Sequence, residues 1–211
     1  MSTVAVARKN GYVAIAADTQ TSFGTRKVSA TYNRHAGKIS RIGSSFFGLT
    51  GWAVNQQVLE HVFRSVPAPP AFANTLEIFE VFLALQTRLK AEYFMVPRDG
   101  ERDAYESNHL NVLIANPHGL FGLYSMRDVF EYDRFWASGS GSEYALGAMH
   151  SIYGAAADAV TIAEAGVQAG VEFDDASGGP IESHVIRLAT SAAVDEMQLL
   201  LKAQGDAVVP A

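Results

Sequence analysis

Two short apolar stretches, Val4 to Ala7 and Val13 to Ala17, flank Lys9, Asn10 and Gly11 almost at the start of the chain. Asn-Gly supplies the consecutive positive φ values of a tight hairpin turn, so the two stretches are expected to pair as antiparallel strands. A hairpin that begins at the second residue ties the N-terminus into a sheet, where a chain terminus is otherwise a loose tail.

Further strands are expected at Lys38 to Ile42, and at Phe46 to Thr50, an apolar run suited to burial on both faces. Helical spacing follows at Val54, Val58, Leu59, Val62 and Phe63, and the Pro-rich segment Val66 to Pro70 ends that helix by removing amide donors. A second helix is expected after Asn74, with Glu77 three positions on as a capping signal. Its apolar stripe is Ile78, Phe79, Phe82, Leu83, Leu85 and Leu89. That stripe reads as core packing.

Pro97 to Asn108 reads as an exposed polar loop. Leu110 to Ala115 and Leu120 to Tyr124 then form a hairpin around Asn116, Pro117, His118 and Gly119. Ser142 and Asp158 are candidate caps for two more helices, the first carrying Leu146, Met149, Ile152 and Tyr153, the second Ile162, Val167 and Val171. Strands at His184 to Leu188 and Met197 to Leu201 close the chain. The order of strands, two helices, strands, two helices and strands predicts an α+β fold, a four-layer αββα sandwich with two antiparallel sheets between helix pairs. At 211 residues, 1–211 is expected to form a single domain.

Composition narrows the function classes. A net charge of -6 and the lack of a basic stripe argue against nucleic acid as partner. No apolar run approaches the roughly 18 residues of a membrane helix, and no signal-peptide pattern is present, so membrane insertion and export are not expected. Cys is absent, which removes thiolate chemistry and fits a cytoplasmic protein. The six His residues show no ligand spacing, so neither a metal nor another cofactor is expected.

An oxygen or an amine must then serve any nucleophilic chemistry. Ser2 follows Met1, and a small residue there permits removal of the initiator Met. Removal would place a free α-amine, with an unperturbed pKa near 8, beside a hydroxyl on the same residue. The amine can take the hydroxyl proton directly or through one water, so nucleophile and base would share one residue. With Met1 attached, the same nitrogen is an amide and cannot act as a base.

The opening STVAVARKNGYVAIAAD resembles that of the proteasome β-subunits and their bacterial relative, the HslV peptidase, and the resemblance runs over nearly the whole chain. It implies the N-terminal nucleophile hydrolase type of αββα fold, with Asp18 sixteen positions after the nucleophile Ser2. Thr3 as nucleophile would leave fifteen and require loss of Ser2 as well. Lys38 in HAGKISRIG matches the family's catalytic lysine, which would lower the pKa of the amine and stabilise the developing alkoxide, its charge compensated by Asp18. The Asp18 to Lys38 interval is about four residues longer than is usual, an insertion within Ser22 to Arg34 that leaves Lys27 as a competing candidate. Gly51 in TGWAVNQQ matches the oxyanion glycine. Ser140 in ASGSGSEYALG, and Asp174 and Ser177 in FDDASGGPIE, match the supporting groups near the terminal amine. Thr21, Leu49 and Ala53 resemble substrate-binding positions of the specificity pocket.

The resemblance thus implies a peptidase of the threonine type with Ser in the nucleophile position. The missing methyl frees the side-chain rotamer and predicts a slower or more loosely specified nucleophile. It also implies homo-oligomeric stacked rings of six or seven subunits, a polypeptide substrate, and an AAA+ unfoldase as feeding partner. The long interval before Lys38 points to a bacterial proteasome homologue, such as the betaproteobacterial one. A small-amide hydrolase without ring assembly and a non-catalytic ring subunit remain as alternatives. Taken singly, Ser2, Asp18, Lys38 and the two Gly-Ser segments have ordinary readings as a terminus, a turn former, a solvated strand residue and turns; their joint spacing favours the site.

Overall fold

The computed structural model describes residues 2–96 and 104–189. The opening hairpin forms as expected from β1 (Thr3–Lys9) and β2 (Tyr12–Asp18), with Asn10 at φ 50° and Gly11 at φ 79° in the turn. Their register pairs Val4 with Ala17 and Val6 with Ile15. Side chains alternate sharply: Ala5, Ala7, Ala14 and Ala16 face one way, Val4, Val6, Val13 and Ile15 the other.

After β2 come a short ribbon, β3 (Thr21–Phe23) and β4 (Arg26–Val28), then β5 (Ile39–Ile42) and β6 (Ser45–Thr50). Helices α1 (Ala53–Arg64) and α2 (Thr75–Tyr93) follow. The chain continues through β7 (Asn111–Asn116), β8 (Gly119–Leu123), β9 (Val129–Glu131) and β10 (Phe135–Gly139). Helices α3 (Ser142–Ile152) and α4 (Ala159–Phe173) and strand β11 (Ile181–Arg187) complete the described chain. One sheet has the order β10-β1-β2-β11 and the other runs β5-β6-β7-β8-β9, with neighbours antiparallel throughout.

Three apolar cores hold four layers. Val4, Val6, Val13, Ile15, Leu113, Ala115 and Leu120 fill the space between the sheets. The alanine face of β1 and β2 lets α3 and α4 approach closely through Ala145, Met149, Ile162, Ala163 and Val167. On the far side, Phe47, Leu49, Phe121 and Leu123 pack under Leu59, Phe63, Ile78, Phe82 and Leu89 of α1 and α2. The architecture is the αββα sandwich that the element order predicts.

The caps at Asn74 and Asp158 form as expected. Asn74 accepts from Glu77 N while the Glu77 carboxylate accepts from Phe72 N and Ala73 N, and Asp158 accepts from Thr161 N. Ser142 does not cap α3. Gly141 holds the cap position, because a Cβ there would lie 2.1 Å from Thr3 Oγ1.

Other departures are local. Phe79 and Leu83 of the predicted α2 stripe, and Val54 of α1, are exposed. The polar run before β7 does not end exposed: Ser107 and Asn108 are buried, with Asn108 Nδ2 donating to Gln86 Oε1 and Asn108 Oδ1 accepting from Leu110 N. The strand expected at His184 begins earlier, at Ile181. The strand expected at Met197 to Leu201 and most of the loop from Pro97 lie outside the described residues.

Candidate active site

At the end of β2, Asp18 is fully buried and accepts four hydrogen bonds. Oδ1 receives Lys38 Nζ at 2.6 Å and Thr3 N at 2.9 Å; Oδ2 receives Gln20 N at 3.1 Å and Gly178 N at 3.0 Å. A buried carboxylate is tolerated when its lone pairs are filled and a cation compensates it, and both conditions hold here. Lys38 lies just before β5. Burial pulls its ammonium below the ordinary lysine value, against the opposing attraction of Asp18 and Asp174. Lys27, the competing lysine, is exposed on β4 and makes no ion pair among the described residues.

Strand alternation distinguishes Ser2 from Thr3. Thr3 shares the helix-facing side of β1 with Ala5 and Ala7, and its Oγ1 lies 2.7 Å from Ser177 Oγ. A Cβ on Gly170 of α4 would come within 2.3 Å of that same Oγ1, so Thr3 is wedged against α4. By the same alternation the residue before it is expected on the opposite side, with Val4 and Val6, which face the second sheet. Ser2 is 3% exposed.

The Gly-Ser segments converge on the same end of β1. Gly139 pairs with Thr3 at φ 101°, and a Cβ on it would meet Ser2 O at 1.9 Å. Glycine is therefore required on both steric and backbone grounds. Ser140 Oγ and Ser177 Oγ each donate to Asp174 Oδ2 at 2.7 Å. Since a hydroxyl has one proton and Ser177 gives it to the carboxylate, Thr3 must donate to Ser177. Ser2 O also lies 3.5 Å from both Gly141 N and Ser140 Oγ.

Gly51 follows β6 at φ 98°, with open space where a side chain would stand. Ala53 is exposed at the first turn of α1, and Thr21 is half-buried at the start of β3, accepting from Asn33 Nδ2. Leu49, at 6% exposure, belongs to the core beneath α1 and α2. A surface cavity of about 540 Å³ opens elsewhere, along α2, lined by Leu83, Gln86, Lys90, Glu106 and Arg127, and holds none of these residues.

Sequence reasoning missed two contributors. Gln20 closes the Asp18 cage with its amide N–H, and its side chain donates to Asp175 O, joining β2 to the segment that carries Asp174 and Ser177. Thr50 Oγ1 and Ser138 Oγ meet at 3.1 Å, linking β6 to β10 across the two sheets beside Gly51 and Gly139. Polar side chains inside otherwise apolar strand ends were the available signal.

No family model and no curated protein sequence matches the chain. Among solved structures, BPH of Thiobacillus denitrificans in complex with epoxomicin is 42% identical over 89% of this chain and 100% of that one, with a TM-score of 0.84. A second structure of Thiobacillus denitrificans BPH gives 43% identity over 90% of this chain and 100% of that one, with a TM-score of 0.84. Eukaryotic HslV from Trypanosoma brucei, 19% identical over 88% of this chain and 99% of that one with a TM-score of 0.58, shares the fold.

Proposed function

Because the chain belongs to the proteasome β-subunit and HslV family, in its betaproteobacterial branch, we propose a ring peptidase subunit whose nucleophile is Ser2. Removal of Met1 frees the Ser2 amine. The amine takes the proton from Ser2 Oγ as the oxygen attacks the scissile carbonyl, and returns it to the leaving nitrogen as the C–N bond breaks. Water then attacks the resulting ester, restoring the hydroxyl. Gly51 N–H is assigned to the oxyanion, Lys38 to the field around the nucleophile, and Asp18 to holding that lysine charged.

The observation that carries this reading is the shared oxygen of Asp18. One carboxylate atom binds the lysine ammonium and the amide that joins Ser2 to Thr3. The cation is thereby fixed beside the residue proposed to react. Strand alternation supports Ser2 over Thr3, whose hydroxyl is committed to Ser177 on the helix side. Ser140, Asp174 and Ser177 are proposed to orient the free amine and a water. Thr21 and Ala53, with Leu49 as a buried floor, are proposed to bind substrate.

The assembly proposed is a stack of hexameric or heptameric rings in the cytoplasm, fed with polypeptide by an AAA+ unfoldase, without nucleic acid or membrane as partner. Among the described residues no helix is long and apolar enough to cross a membrane. The BPH complex makes epoxomicin a direct ligand to try on this chain.

Hydrolysis of a fluorogenic peptide by Met1-processed protein tests the assignment. Ser2→Ala is expected to lower kcat/KM by at least about a thousandfold, whereas Thr3→Val, which keeps shape and loses one hydrogen bond, is expected to stay within about tenfold. Full activity in Ser2→Ala would overturn the assignment.

A further inference from the structure

Between Asp18 and Glu60 the chain has no acidic side chain, although it carries 22 in all. The same stretch holds Arg26, Lys27, Arg34, Lys38 and Arg41. Lys38 is neutralised by Asp18, and Arg41 lies over the Phe46 ring. Arg26, Lys27 and Arg34 remain exposed and make no ion pair among the described residues. Arg26 and Lys27 lie on β4 of the β3–β4 ribbon, where Phe23 of β3 pairs with Arg26 and is 68% exposed. An exposed aromatic beside basic side chains, on an acidic protein, has the form of a plug without its socket.

The opposite side of the sandwich has the complementary character. The ribbon leaves β2 and returns to β5, on the side where Phe46 of β6 stacks on His184 of β11 at 4.6 Å. The other edge strands of the two sheets are β9 and β10, joined through residues 132–134. There Tyr132 stacks on Trp136 at 4.9 Å, and Phe130 and Trp136 are exposed. Asp128, Glu131 and Asp133 lie exposed around these rings without an ion pair among the described residues. Of the two cations flanking this stretch, Arg127 is buried with Nη1 donating to Glu106 O, and Arg134 has its guanidinium over the Tyr153 ring at the end of α3.

We propose that the β3–β4 ribbon of one copy docks on the β9–β10 edge of the next, head to tail. This inference rests on the ring-subunit reading and names the surfaces that close the ring. Surfaces on opposite sides of one molecule give a heterologous contact, which closes into a ring when the rotation per subunit permits. Phe23 and its cross-strand partner Arg26 share one ribbon face and meet the Phe130 and Trp136 edge, while Lys27 on the other face adds to the positive potential opposite Glu131 and Asp133, a pairing of opposite potentials that fixes register. The ribbon also begins at Thr21, so each contact would lie against a proposed substrate position of its own subunit.

Native mass spectrometry of the full chain, with circular dichroism as a folding control, tests the interface. The wild type is expected to form rings, and R26E/K27E is expected to lose them while keeping its helical signal. The quadruple charge swap R26E/K27E/E131K/D133K is expected to recover them. Rings that persist in R26E/K27E overturn the interface and leave the peptidase reading standing. Rings that persist while cleavage of acidic peptides falls overturn it too, and assign the ribbon to substrate. Loss of rings without recovery in the swap overturns the pairing, and a monomeric wild type overturns interface and ring reading together.

Discussion

Lys38 and Asp18 form a buried ion pair at 2.6 Å, and the oxygen that receives the lysine also receives the amide N–H of Thr3. The pair therefore connects the start of β5 to the first residue of β1. Removing either partner strands a charge away from water, at a cost of about 3–5 kcal/mol. Asp18→Ala is expected to lower the unfolding free energy in urea by that amount and to abolish peptidase activity. A variant of wild-type stability would show that the pair is not electrostatically buried.

The alkaline behaviour of Lys38 follows from its lowered pKa, caused first by desolvation. Folded Lys38 loses its proton below the ordinary value of 10.5, while the unfolded chain keeps it. Between the folded and unfolded values the unfolded state binds more protons, so this group's contribution to stability rises with pH there. Activity has the opposite sign, because a neutral lysine no longer supplies a field at the nucleophile. The kcat profile is expected to fall on an alkaline limb below pH 10.5, with no parallel loss of fold by circular dichroism.

Gly139→Ala and Gly170→Ala are expected to differ in kind. A methyl at Gly139 meets Ser2 O at 1.9 Å and strains a φ of 101°, so it displaces the proposed nucleophile directly. A methyl at Gly170 meets Thr3 Oγ1 at 2.3 Å and pushes on the helix side of β1. Each is expected to destabilise by about 1–3 kcal/mol, lowering Tm by roughly 2–4 °C per kcal/mol. Gly139→Ala is expected to lose more kcat for the same Tm shift.

Much of this organisation is legible in the residues because it rests on local chemistry. Asn10-Gly11 fixes the first hairpin, and the alanine and valine alternation of β1 and β2 assigns their two faces. Asn74 and Asp158 cap helices with their own side chains. What the sequence conceals depends on tertiary partners. Ser142 looks like a cap, but the close approach of Thr3 requires glycine at the position before it. Phe79 and Leu83 fit the periodicity of α2 yet face solvent, because spacing alone does not say how wide a face the sheet covers. The ribbon consists of two three-residue strands in a polar run, too short to show a period. At the site, the family resemblance implies Asp18 with Lys38 while the long interval leaves Lys27 competing, and the exposure of Lys27 distinguishes the two lysines only in three dimensions.

The most direct test of Ser2 as nucleophile is tryptic mapping of the adduct formed with a peptide bearing an electrophilic carbonyl. The account predicts that the label resides on the fragment Ser2 to Arg8, without Met1, and that fragmentation places it on Ser2. A label on Thr3 or on any other fragment, or an active protein that retains Met1, would contradict it.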